Sequence, residues 1–229
     1  MRRIILMAIM LAVTVAGCNR FPDLTIQVTA NLAPDESNCT IDANQEAVLL
    51  RGRYDLDAPP FDYFVTPRIE SYLIDNSVET QAPQTNFEVT GFDVTIKLPD
   101  GTIPEFSETL PNPYMVTSNA VIPPSEAIGA VSRGAAAAPA IPASYRDAIV
   151  GVLNASGFDS IVIDLRANGR TSGGFSQQSP PFSWPIDFCD GCLGTTCIEP
   201  LEVGDPLGCF PGQDGWGYCD AVVPADSGI

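Results

Sequence analysis

Seven cysteines and no histidine bound the chemistry open to this chain of 229 residues. Without an imidazole, the usual hydrolytic triads and the common histidine-ligated zinc centres are excluded. Carboxylates, thiols and Ser-Lys pairs remain. Lys97 is the one lysine, on an alternating run opposite Val94 and Ile96, which places it on a solvent-facing strand position rather than beside a serine nucleophile. The pairs Glu105/Glu108 and Asp55/Asp57 have spacings that glycoside hydrolysis could use, but 28 acidic residues supply many such pairs. Asp55-Leu56-Asp57 with Asp62 offers oxygen ligands for calcium. The EF-hand glycine and terminal Glu are missing, and aspartates that stabilise turns have the same pattern. Cys189-Asp190-Gly191-Cys192 has the spacing of a redox motif without a surrounding βαβ unit, and Cys189, Cys192, Cys197 and Cys209 could be grouped as zinc ligands. No metal or other cofactor is expected from these residues.

The choice between thiols and disulfides depends on the compartment, which the first residues indicate. Met1-Arg2-Arg3 is a positive head, and Ile4 to Ala16 is an uncharged, largely apolar run. This order describes a secretory signal peptide. The run, roughly 13 residues, is shorter than the ~20 a membrane-spanning helix requires. Its exit, Val15-Ala16-Gly17-Cys18, resembles the lipobox of bacterial lipoproteins. The resemblance implies cleavage before Cys18 and lipid on its sulfur and amine. By the same resemblance, Asn19 differs from the Asp associated with inner-membrane retention, which points to the outer membrane. In an oxidising compartment the other six cysteines, Cys39, Cys189, Cys192, Cys197, Cys209 and Cys219, read as disulfides. Sequence does not choose among the 15 possible pairings. Five of the six fall in the last 41 residues, so complete pairing within one chain requires a bond from Cys39 to the tail. Closing a loop that long is worth roughly 4 to 5 kcal/mol through the unfolded state.

Cleavage before Cys18 would leave 212 residues, with nine basic against 28 acidic side chains and a net charge of −19. That balance disfavours nucleic acid and anionic headgroups, both of which require basic clusters.

The elements that must hold these groups are mostly strands. Leu24, Ile26, Val28 and Ala30 alternate, Ala47 to Tyr54 is a second run, and Tyr63 to Ile74 a third broken at Pro67. Phe87 and Val89 are out of step with Phe92, Val94 and Ile96, which predicts a β-bulge near Gly91. Tyr114 to Ile122 is a weaker strand. Ala127 to Pro142, rich in Ala, Gly and Pro, reads as a connecting loop. A helix starts at Pro142 or Ser144 and ends at Gly157, and crosses between sheets. Strands follow at Ile161 to Leu165 and Phe182 to Phe188, joined by a long hairpin connection, with Pro185 placing the second strand at an edge.

The expected fold is all-β, an immunoglobulin-like two-sheet sandwich of about seven strands with one crossover helix and a disulfide-braced C-terminal tail; a small barrel is the competing architecture. The boundaries are 1–17 signal peptide, 18–23 acylated N-terminus and tether, 24–188 sandwich and 189–229 Cys-rich tail. Trp216 and Tyr218, in a glycine-rich loop between Cys209 and Cys219, form either a recognition surface or a cover for the end of the sandwich. The function expected is a non-enzymatic, lipid-anchored envelope protein with a structural, accessory or binding role. Its expected partners are the membrane and an envelope protein, not nucleic acid. A calcium-dependent adhesion or carbohydrate-binding module and a carboxylate-dependent hydrolase are the alternatives.

Overall fold

A computed structural model describes residues 25–35, 38–74, 86–127, 129–199 and 209–224, with the backbone alone at 196–199 and 220–224. Residues 1–24, on which the expected signal peptide, acylated Cys18 and tether fall, lie outside the described residues. No described helix is long and apolar enough to cross a membrane.

The chain is all-β, with sandwich-like packed sheets and one short α-helix. β1 (Ile26–Leu32) pairs antiparallel with β2 (Val48–Leu49) on one side and β5 (Pro67–Ser71) on the other, and β8 (Ser132–Ala135) completes this sheet beyond β5. The larger sheet has the order β3 (Gly52–Asp55), β12 (Phe182–Cys189), β10 (Ser160–Thr171), β6 (Phe87–Lys97), β7 (Tyr114–Ile122), and β11 (Ser176–Gln178) folds back on β10. β4 (Tyr63–Val65) pairs with β9 (Ala138–Ile141), and β13 (Gly194–Glu199) with β14 (Tyr218–Pro224). Turns and breaks divide the hydrophobic runs, so the described residues hold fourteen strands. The run from Ala47 supplies β2 and β3 to different sheets, and the run from Tyr63 breaks at Thr66 into β4 and β5.

Alternation drives the packing. In β10 the odd-numbered Ile161, Ile163, Leu165 and Ala167 are buried while Arg166 and Arg170 face outward. They join Ile26 and Ile69 of the first sheet and Phe87, Val94, Ile96, Trp184 and Ile186 of the second in one core. The bulge lies where the phase change places it. Asn168 pairs with Gly91 and Gly169 with Val89, leaving Thr90 as the extra residue. Gly91 is required there, because a Cβ would overlap the Val116 carbonyl of β7.

Two expectations are corrected. The stretch from Ala127 to Pro142 is not simply a connecting loop, because it supplies β8 and β9. Gly134 lies under Ile122 with no room for a Cβ, and Ala136, Ala138 and Ala140 are buried flat against the core. The small side chains that suggest a loop let these strands approach the opposite layer closely. Nor is β12 an edge strand. It lies between β10 and β3, but β3 accompanies it only from Ile186 onward. Pro185 therefore sits where the second neighbour has not begun, and no ladder bond on that side is lost.

The helix follows its sequence signals. A 3₁₀ turn, Ala143–Tyr145, leads into α1 (Arg146–Ser156), which buries Ile149 and Leu153. Gly157 at φ 76° donates its N–H to the Leu153 carbonyl and ends it. α1 connects β9 to β10 and thus links two sheets.

Candidate functional site

A cluster of hydrogen-bonded polar side chains lies at the C-terminal end of β1, where the tail returns to the sandwich. Gly212 at φ 82° and Asp214 at φ 62° bend the segment into a tight loop. The loop is closed by the N–H of Gly212 donating to the Trp216 carbonyl at 3.0 Å and that of Trp216 to the Gln213 carbonyl at 2.9 Å. On one side it pairs with β3 through the backbone. Asp55 N–H donates to the Gly212 carbonyl at 3.0 Å, and Asp214 N–H to the Arg53 carbonyl at 2.8 Å. On the other side the buried Gln213 carboxamide serves as a strand. Its Oε1 accepts the Phe64 N–H at 2.8 Å and its Nε2 donates to the Phe64 carbonyl at 2.9 Å. The loop thus spans β3 and β4. A Cβ on Gly212 would crowd Ala58 and Phe61, so the close approach requires glycine.

A buried polar chain lies beneath the loop. Trp184 Nε1 donates to the Tyr63 hydroxyl at 3.2 Å, and that hydroxyl donates to Asp214 Oδ1 at 2.7 Å. Asp214 also accepts the Arg53 N–H at 3.1 Å and a Gln213 amide hydrogen at 3.1 Å. Burial pushes the Asp214 carboxyl above its usual range, against the pull of its three donors. Burial and then the Asp214 charge push Tyr63 well above an ordinary phenol, so its hydroxyl stays a donor. The arrangement holds a loop in place, with its carboxylate turned onto protein donors rather than toward solvent.

The cysteines brace the same end. Cys39 is joined to Cys209, with Cα atoms 5.4 Å apart across 170 residues of chain. Cys189 is joined to Cys192, and Cys219 is also in a disulfide. The side chain of Cys197 lies outside the described residues. Asp55 is fully buried below the Cys189–Cys192 loop. Its Oδ1 accepts from Gly191 N–H at 2.8 Å and Asp57 N–H at 3.0 Å, and its Oδ2 from Leu193 N–H at 2.6 Å. Asp55, Cys189 and Cys192 bring ligand-type atoms within 4.8 Å of one another. The two sulfurs, however, are bonded to each other and the carboxylate oxygens are engaged by amides. Cys209 is held by Cys39, so the four cysteines grouped as zinc ligands do not form one centre.

The remaining sequence candidates separate. Asp62 accepts the Ala143 N–H at 2.8 Å at the start of the 3₁₀ turn, away from the loop that Asp55 holds, so the three aspartates do not form one calcium cage. Glu105 and Glu108 are exposed in a loop. Lys97 faces outward on β6 and makes an ion pair with Asp164, which accepts the Ser183 hydroxyl at 2.6 Å. The Lys97 ammonium therefore meets a carboxylate, not a serine nucleophile. Burial alone would raise Asp164, but the Lys97 and Ser183 hydrogen bonds and the nearby positive charges outweigh it and hold the carboxyl below its usual range.

Trp216 is half-buried, and Tyr218 is 4% exposed. Tyr218 opens β14, and its N–H donates to the Leu193 carbonyl at 3.1 Å. So buried, it is not displayed as part of a recognition surface. Gln213 and Asp214, the residues that dock this loop, escaped the sequence reading. The available signal was Gly212-Gln213-Asp214-Gly215, two polar residues between glycines inside a cysteine-bounded loop. Compared with known proteins, the chain matches no family model and no curated protein.

Proposed function

We propose that this chain is a lipid-anchored, non-enzymatic protein of a bacterial envelope, held in the outer membrane and serving a structural, accessory or binding role there. The observation that carries this reading is Val15-Ala16-Gly17-Cys18 after a charged head and an apolar run. The use of cysteine supports it. Disulfides that tie the C-terminal segment to Cys39 and close the Cys189–Cys192 loop suit an oxidising compartment. The disposition of the acids supports a non-catalytic role. Asp55, Asp62 and Asp214 are committed to backbone amides or a tyrosine hydroxyl, and Asp164 to Lys97 and Ser183. An envelope protein is the macromolecular partner this reading implies, and the acidic surface disfavours nucleic acid.

Mass spectrometry of the N-terminal peptide from membranes tests the anchor. The expected result is acyl chains on Cys18 of the native protein and release of Cys18→Ala from membranes by a high-salt wash. Several acyl chains hold firmly, at about 0.8 kcal/mol per buried methylene. An unlipidated Cys18 in the native protein, or a variant that stays membrane-bound, overturns the reading.

A further inference from the structure

Strand direction and register assign the exposed apolar side chains to ends of the sandwich. Thr25, at the start of β1, accepts the Tyr72 N–H on its carbonyl at 2.8 Å and donates from its hydroxyl to Gln177 of β11 at 2.9 Å. Ile26 pairs with Ser71, Ser71 with Ser132, Phe87 with both Ile122 and Thr171, and Ile74 bridges Ser125. These pairings gather the N-terminus of β1, the C-terminus of β5, the turn between β10 and β11 and the last residues of β7 at one end. Five exposed apolar residues lie there: Phe175 at 71%, Val121 at 58%, and the less exposed Tyr72, Ile74 and Val131. Leu50, Ile103 and Met115 lie toward the other end or along the sheet.

Phe175 is the most prominent of the five. It sits in the β10–β11 turn, where Thr171 N–H donates to the Phe175 carbonyl at 2.9 Å and Ser172 N–H to the Asn86 carbonyl at 2.9 Å, so the tip is tied down rather than free. The tip, Thr171 to Ser179, carries no charge. Among the described residues, the charged side chains nearby include two ion pairs, Arg170 with Glu88 at 3.6 Å and Arg133 with Glu70 at 3.1 Å, with Glu126 an exposed acid beside them.

We infer that this end of the sandwich rests on the lipid bilayer, with Phe175 inserted at the interface and Val121 beside it. The inference rests on the anchor reading, because the tether is short. Seven residues from Cys18 to Thr25 reach at most about 25 Å when fully extended. A fold anchored at Cys18 must therefore keep its Thr25 end near the membrane, and that end carries the exposed rings. An aromatic ring at a lipid–water interface buries its apolar body at headgroup depth. The net charge of −19 in the chain from Cys18 onward opposes attraction to anionic lipid, so the contact is apolar and insensitive to salt.

The test uses the full-length lipidated protein in phosphatidylcholine vesicles with brominated acyl chains, which quench tryptophan on contact. Phe175→Trp is compared with Leu50→Trp; Leu50 is 85% exposed at the opposite end. Native Trp184 and Trp216 contribute the same background to both. The expected result is loss of the added emission at position 175 and none at position 50, unchanged by salt. Acylation of Cys18 is read by mass spectrometry on the same sample. Lipidated, vesicle-bound protein whose added tryptophan stays bright overturns the docking alone. In that outcome, quenching by aqueous iodide means the end faces water, and protection from iodide means a second copy covers it. Absence of lipid on Cys18 overturns the anchor and the docking together.

Discussion

At the far end of β1, the tail loop lays Gln213 against β4, Asp214 against β3 and Tyr63, and Cys209 against Cys39. At the near end, the β10–β11 tip leaves Phe175 in the open, and Val121 faces out from β7. The far end spends its polar side chains on internal backbone groups, and its carboxylates cap amides that would otherwise be orphaned. The near end closes its backbone bonds within the hairpin and onto its neighbours Asn86 and Thr25, and leaves apolar side chains outside. Damage at the far end should therefore lower stability, whereas damage at the near end should spare the fold and alter what the surface touches.

The largest effect is expected from Cys39→Ser. The bond it removes closes 170 residues, and the chain-entropy relation assigns such a loop about 5 kcal/mol. Denaturant unfolding should show that loss as an upper bound, and thiol labelling of the folded variant should count one new reactive group, Cys209. Replacing Cys189 and Cys192 together should cost less, about 2 kcal/mol by the same relation, because that bond spans a separation of three. If the second loss equals the first, the far end is not held chiefly by the long crosslink.

Gln213→Ala comes next. It leaves the Phe64 N–H and carbonyl without the carboxamide that pairs both, and each unsatisfied buried group costs about 1 to 3 kcal/mol. Because Phe64 is half-buried, the sum for the two groups, about 2 to 6 kcal/mol, is the upper bound expected in urea unfolding, with faster hydrogen exchange at the Phe64 amide. Unchanged exchange there would show that the tail does not serve as the strand beside β4.

Asp214→Asn addresses the electrostatics. Burial raises the carboxyl in the folded state, so the native protein holds a proton that the unfolded chain releases. Its contribution is fully present below the ordinary Asp range and is lost as pH rises through the elevated folded value. The wild type should therefore lose melting temperature across that interval, and Asp214→Asn should flatten the slope. Asp164 has the opposite sign. Its carboxyl is depressed in the folded state, so its contribution is present above the ordinary range and is lost as pH falls through the lowered value. Lys97→Met should weaken that acid-side loss by no more than about 1 kcal/mol, since the pair is partly solvated.

The two ends also differ in how far the sequence revealed them. The alternation in β10 and the phase change at Gly91 located the large sheet and its bulge, because a period of two is a local signal. The helix and its Gly157 stop were local as well. The parity of the tail cysteines required a bond to Cys39 if all six were paired, although not which tail cysteine makes it. What stayed hidden was non-local. Nothing around Gln213 indicates that its side chain stands in for a strand beside Phe64, 149 residues away. The alanines of β8 and β9 looked like a loop because their strand character comes from β4, β5 and the space beneath Ile122. Tyr218 and Trp216 could not be sorted into buried and half-buried without the docking of the loop between them and Cys209.

The smallest effect should come from Phe175→Ser with Val121→Ser. Phe175 is 71% exposed and Val121 58%, so little apolar area buried on folding is lost. Surface substitutions of this kind usually stay within about 0.5 kcal/mol of the parent. The tip bonds from Thr171 to Phe175 and from Ser172 to Asn86 use the backbone and survive the change. The double variant should therefore match the wild type in urea midpoint and slope while the far-end variants fall. Val121 also faces Glu88 across the β6–β7 ladder, and Glu88 pairs with Arg170, so a serine there leaves the ion pair intact. A large drop in the midpoint would mean that these side chains pack against the rest of the molecule in solution. The near end would then be part of the core's closure, and the contrast between the two ends would disappear.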